Sequence, residues 1–187
     1  MKKRPNLTII FAVLCAVLPF LTQAAAIKVG QQLTPLAIKT EGEIVLQGDT
    51  ISHKEWSSDS MRGKVQVFQY MAARMGMDKI HKPFIDAVTL ASFPVDKFAV
   101  TTLINVDDAM WGTSGLISSE LERNKKKHPK AVMVVDKKGT GLKLWNLQSK
   151  TSAIVILDRA GKVLFFKEGT LTDKDIEANL VLIEQSL

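Results

Sequence analysis

The sequence predicts an α/β domain of three layers, a central mixed sheet flanked by helices, with an added N-terminal β-hairpin. Three observations predict it. Apolar β-rich runs at Val65–Tyr70 and Phe98–Asn105 alternate with helical patterns at Lys79–Ser92 and Leu116–Lys127, the order of parallel right-handed crossovers. Two later runs, Ala153–Leu157 and Val163–Lys167, flank Asp158-Arg159-Ala160-Gly161, a turn sequence suited to an antiparallel hairpin. A final amphipathic stretch closes the chain.

In chain order, Glu43–Gln47 and Ile51–Trp56 are short runs around Gly48-Asp49-Thr50, and predict a hairpin ahead of the main sheet. Val65–Tyr70 follows Gly63-Lys64 as the first central strand. The helix expected over Lys79–Ser92 places Ile80, Phe84, Ile85 and Val88 on one face, with Pro83 early enough to be tolerated. Phe98–Asn105 is the second central strand, and Leu116–Lys127 a helix with Leu116, Ile117 and Leu121 inward. Ala131–Val135 is a third apolar run, closed by Asp136-Lys137-Lys138-Gly139, while Leu142–Leu147 around Trp145 carries no clear period. Thr172 is placed to cap the last helix, with Asp173 and Asp175 in its first turn and Ile176, Leu180, Ile183 and Leu187 along its apolar stripe.

The amino terminus reads as a secretory signal. Lys2, Lys3 and Arg4 precede an apolar stretch from Leu7 to Phe20, and Ala24-x-Ala26 offers small residues for cleavage near Ala24 or Ala26. A transmembrane anchor needs about 20 apolar residues, and this run is broken by Pro19, Thr22 and Gln23. Export to the periplasm with no membrane anchor after cleavage is therefore expected, leaving residues 27–187 as a single domain. The net charge of +6 falls to +3 once those three cations leave. No concentrated basic face argues for nucleic acid. The run Lys125-Lys126-Lys127, with His128 and Lys130, is expected to be a solvated helix end, where cations suit the helix dipole. Cys15, the only cysteine, sits in the signal, so the exported chain has no thiol, disulfide or sulfur metal cluster.

The order of elements over Gly63–Leu187 resembles the thioredoxin-like superfamily. Gly63-Lys64-Val65, Thr101–Ala109, Ser119–Lys126 and Ser152–Asp158 make the closer resemblance, to the YtfJ family of exported Gram-negative proteins, over nearly the whole mature chain. That resemblance implies a periplasmic thioredoxin-like fold in a family without a settled activity. Within it, Met75-Gly76-Met77-Asp78 falls where a thioredoxin-type enzyme carries Cys-x-x-Cys. Ser152, followed by Ala153, falls where such enzymes carry a cis-proline. Thiol–disulfide exchange needs a thiolate, so no such oxidoreductase activity is expected. A non-proline cis bond costs about 3 kcal/mol, so Ser152 is expected to be trans.

The candidate interaction face comprises Arg74, Met75, Met77, Asp78, Asp107, Asp108, Trp111 and Ser152. Asp107 and Asp108 end a parallel strand, where open α/β sheets gather ligands. As neighbours on a strand they point to opposite faces, and the plainer reading is one cap and one solvated acid. Arg74 could pair with Asp78 or clamp a ligand carboxylate. Met110–Gly115, with Trp111 between flexible residues, would supply a second recognition loop. Met71, Met75 and Met77 invite a copper(I) reading, since thioethers select soft cations; the alternative is core packing for Met71 and adaptable surface for the others. His53, His81 and His128 show no ligand spacing with them, and His81 is the only available helper. Ser114 lacks a Gly-x-Ser-x-Gly setting.

These residues favour a non-enzymatic binding or adaptor module whose partner is a periplasmic protein or small ligand, without catalytic residues, metal or cofactor. The alternative is a thiol-independent enzyme or a copper-binding protein using the same face.

Overall fold

The computed structural model describes residues 26–109, 112 and 114–187. The expected export segment with Cys15 and Ala24 lies outside them, as do Trp111 and the side chain of Ser114. Among the described residues seven strands form one mixed sheet: β1 (Ala37–Gln47), β2 (Thr50–Ser57), β3 (Val65–Ala72), β4 (Phe98–Asn105), β5 (Val132–Asp136), β6 (Ser152–Leu157) and β7 (Val163–Glu168). Their spatial order is β2-β1-β5-β4-β3-β6-β7. β3 pairs in parallel with β4, and β4 with β5, whereas β6 runs antiparallel between β3 and β7. The expected thioredoxin-like order of parallel units followed by a hairpin and helix is the order observed.

The amino-terminal hairpin is longer than its sequence suggests. β1 begins at Ala37 and closes on β2 through Gly48-Asp49, with Gln47 opposite Thr50. Its register breaks between Ile38 and Glu43, at a bulge where Glu41 and Gly42 take φ of 68° and 70°. A Cβ on Gly42 would collide with the Lys54 carbonyl, so the close approach of β2 requires glycine there.

Alternation along the central strands divides the core between two faces. Phe68, Tyr70 and Leu103 pack on one face with Trp56, Leu36 and Trp145, and the Phe68 and Trp145 rings meet edge to face at 5.3 Å. Trp145 belongs to α4 (Thr140–Trp145), the segment whose period was unclear. Its first turn is fixed by the buried Asp136 carboxylate, which accepts from the Thr140 and Gly141 amides at 2.9 and 2.7 Å. The other face carries Val65, Val67, Phe98 and Val100 under helices α2 (Lys82–Ala91) and α5 (Asp173–Ser186), and Ile104 under α3 (Ser114–Lys127). Thr172 and Asp175 close the capping box at the start of α5.

Three local expectations are corrected. The helix expected over Lys79–Ser92 is broken at His81 into α1 (Met77–Ile80) and α2, because Pro83 starts a helix in its first turn and the His81 side chain is drawn inward. Leu116, expected inward, is 75 % exposed, because the register of α3 turns Leu121 and Ile117 to the sheet. Lys125 is not solvated: it is 4 % exposed, its Nζ donates to the Ala131 carbonyl at 2.6 Å, and burial lowers its pKa. The ammonium satisfies the carbonyl of Ala131 in the turn that follows α3, so the buried charge keeps a hydrogen-bond partner.

Candidate functional site

β3 and β4 end side by side, Ala72 opposite Asn105, and the chain leaving β3 turns at once. The Ala73 amide bonds the Asn105 carbonyl at 2.9 Å, and the Arg74 amide bonds the Ala72 carbonyl at 2.8 Å. Gly76, at φ 83°, then reverses the chain into α1. This brief turn leaves Met75 at the apex with its side chain 99 % exposed. Nothing in the loop covers it.

Between this loop and α3 lies a groove of about 530 Å³. Met71, Ala73, Ile104, Ile117 and Leu121 give it an apolar floor, and Met75 and Leu116 stand at its lips. Arg74, Asp78, Lys79 and Glu120 supply charges of both signs around it. Of the residues expected on an interaction face, the groove brings together Arg74, Met75 and Asp78. Met77 sits half-buried in α1. Leu116, expected inward, and Glu120 also line the groove, because the few apolar residues of α3 leave open which flank faces the loop.

The described residues just after β4, through Asp108, are tied down. Asn105 is buried; its Oδ1 accepts the Asp107 amide at 3.0 Å, and its Nδ2 donates to Asp108 Oδ2 at 3.0 Å. The same Asp108 oxygen accepts the Lys150 amide at 2.9 Å. Asp107 is exposed and faces Lys143 at 3.3 Å. Asp108 thus ties Asn105 to the distant Lys150 amide, while Asp107 stands exposed beside Lys143. Arg74 does not pair with Asp78. Its Nη1 donates to the Asp108 carbonyl at 3.0 Å, linking the two loops.

Ser152 does not lie on the interaction face. It is 1 % exposed beneath the loop, opposite Met71 at the first position of β6, because its register with β3 buries it under α1. Its peptide bond is trans. The hydroxyl lies 2.9 Å from the Tyr70 carbonyl and 3.0 Å from Nδ1 of His81, which is fully buried. His81 Nε2 lies 2.8 Å from the Gly169 carbonyl, and Gln69 Nε2 lies 3.3 Å from Nδ1. Both ring nitrogens are thus engaged inside the fold, and His81 is withdrawn from Met75 and Met77. Burial lowers the His81 pKa, outweighing the Gly169 carbonyl, which raises it.

Tyr70 is the neighbouring buried polar group. Its hydroxyl has no hydrogen-bond partner, and its pKa is raised, first by burial and then by Asp136, Asp108 and Asp107. The Leu142 backbone partly offsets this without reaching hydrogen-bond geometry. Tyr70 is therefore a neutral packing residue against Trp145, with ring centroids 6.4 Å apart.

Residues 27–186 match a family described as "Bacterial protein of unknown function (YtfJ_HI0045)". The uncharacterized protein YtfJ of Escherichia coli is 36 % identical over 178 residues, covering 95 % of this chain and 97 % of that one. An uncharacterized protein of Haemophilus influenzae is 35 % identical over 175 residues, covering 93 % and 95 %. Among solved structures, a thiol-disulfide isomerase from Corynebacterium glutamicum is similar with a TM-score of 0.55 at 16 % identity, over 89 % of this chain and 98 % of that one. The thioredoxin domain of a thiol-disulfide oxidoreductase from Bacteroides vulgatus is similar with a TM-score of 0.54 at 14 % identity, over 84 % and 98 %. At such identities the likeness shows the thioredoxin-like fold.

Proposed function

Because the chain belongs to the YtfJ_HI0045 family of bacterial proteins of unknown function, we propose that it is a non-enzymatic binding module of the periplasm that holds an apolar, extended segment of another exported protein. The observation that carries this reading is the groove between the β3–α1 loop and α3, with Met75 and Leu116 exposed at its lips. It stands where the fold's enzymes bring a thiol to their substrates, and here Met75 and Asp78 take the cysteine positions. Methionine supplies polarizable, adaptable contact surface of the kind suited to varied apolar side chains. Charges of both signs at the rim would pair with polar groups flanking an apolar anchor. The periplasmic part of the reading rests on the basic and apolar amino-terminal residues.

Covalent catalysis needs an accessible nucleophile, and the structure argues against Ser152 in that role. Its contact with His81 has the length of a nucleophile–base hydrogen bond, yet both residues are buried beneath the loop. Purified protein is expected to reduce no insulin and turn over no peroxide; enzyme-like rates in either assay would overturn the proposal.

The direct test places a photo-crosslinking residue at Met75 in cells. A discrete protein is expected to be trapped there, to be lost with Leu116→Glu, and to be absent when the probe sits at Glu177 on α5. The trapped segment, made as a peptide, should bind the purified protein and protect Met75. Trapping that ignores Leu116→Glu, or that occurs equally at Glu177, would sink the groove reading.

A further inference from the structure

Beyond the amino-terminal signal the chain has no cysteine, so thioethers are its softest nucleophiles. They are not equivalent. Met61 is 3 % exposed in the core, and Met71, Met77 and Met133 are half-buried. Met75 alone among the described methionines is fully open to solvent, and it forms the lip of an apolar groove that Arg74 and Lys79 also line. An oxygen atom added to its sulfur would meet no steric barrier.

We propose that Met75 is an oxidation site at which conversion of the thioether to the sulfoxide releases the apolar occupant of the groove. The regulatory half of this inference rests on the binding role proposed above. The oxidant is a two-electron, oxygen-transferring species such as hydrogen peroxide. The sulfur lone pair attacks the peroxide oxygen, the O–O bond breaks, an S–O bond forms, and water leaves. Sulfur is oxidised by two electrons and the peroxide is reduced by the same two. The product places a strong dipole where an apolar side chain would rest, which disrupts methionine-built interfaces. A sulfoxide reductase using two thiol equivalents would reverse the change, releasing water and a disulfide.

The test treats purified protein with limiting hydrogen peroxide and follows each methionine by peptide mass spectrometry. Met75 is expected to oxidise at least about tenfold faster than Met61, Met71, Met77 and Met133, following its exposure. Comparable rates at Met71 or Met77 would overturn the assignment. The groove is read with the dye 1-anilinonaphthalene-8-sulfonate, with Leu116→Glu as the reference for groove occupancy. At least fivefold weaker dye binding is expected after oxidation, with recovery on treatment with a methionine sulfoxide reductase and no change in oxidised Met75→Leu. Selective oxidation that leaves dye affinity unchanged would overturn the switch while Leu116→Glu still weakens binding. Dye binding indifferent to both oxidation and Leu116→Glu would overturn the switch by removing the groove reading on which it rests.

Discussion

The Ser152 hydroxyl stands 3.0 Å from His81 Nδ1 and 2.9 Å from the Tyr70 carbonyl. This arrangement joins the start of β6, the end of β3 and the break between α1 and α2 through one side chain. The Gly169 carbonyl can only accept, which assigns the His81 proton to Nε2 and leaves Nδ1 as an acceptor. Ser152 therefore alternates its single proton between two buried acceptors, and Gln69 supplies the other donor to the ring. The loop that carries Met75 rests on this buried polar cluster.

Ser152→Ala removes the donor and leaves the Tyr70 carbonyl and His81 Nδ1 with fewer partners in a site closed to water. The expected cost is about 1–2 kcal/mol of unfolding free energy, read as a shift of the urea midpoint with an unchanged slope.

Burial holds the folded-state pKa of His81 below its ordinary 6.5. The neutral ring is thus preferred in the fold, and the unfolded chain binds more protons near that pH. The stabilisation is full above pH 6.5 and is lost as pH falls below it toward the folded value. Urea midpoints should fall between pH 7.5 and 5 in the wild type by more than in His81→Gln. Equal pH slopes in the two proteins would refute a neutral buried histidine.

Asp175 behaves as an acid cap with the opposite chemistry and the same sign. Its pKa is held at about 2, first by Lys167 at 2.6 Å and then by the Thr172 amide and hydroxyl. The carboxylate's contribution is present above its ordinary 3.8 and is lost as pH falls toward 2. Carboxyl-carbon NMR should show this titration near pH 2, moving toward the ordinary value in Lys167→Met.

Met75→Glu and Leu116→Glu alter side chains that the fold leaves in water. Each is expected to change unfolding free energy by no more than about 0.5 kcal/mol, while Leu116→Glu abolishes capture from position 75 and Met75→Glu abolishes binding of the trapped segment made as a peptide. A loss of stability above 2 kcal/mol in either variant, measured by urea unfolding, would place that side chain in packing rather than in binding.

The sequence alone determined the α/β class, the hairpin at Gly48-Asp49, the central strands and the capped last helix. Each of these rests on local periodicity or turn chemistry, which survives in one dimension. It also placed Arg74, Met75 and Asp78 together, since three nearby residues on one loop share its position. Tertiary structure alone decided the rest. Whether Leu116 or Leu121 faces the sheet depends on how α3 rolls against Ile104 and Val135, and a helix with few apolar residues leaves that roll open. Lys125 looked solvated because lysine ordinarily is, and the nearby Ala131 carbonyl and the Glu43 charge help make its burial tolerable. Ser152 and His81 are 71 residues apart in the chain. Their contact exists because β6 inserts antiparallel beside β3 and Pro83 starts a new helix just after His81, a juxtaposition that no local pattern encodes.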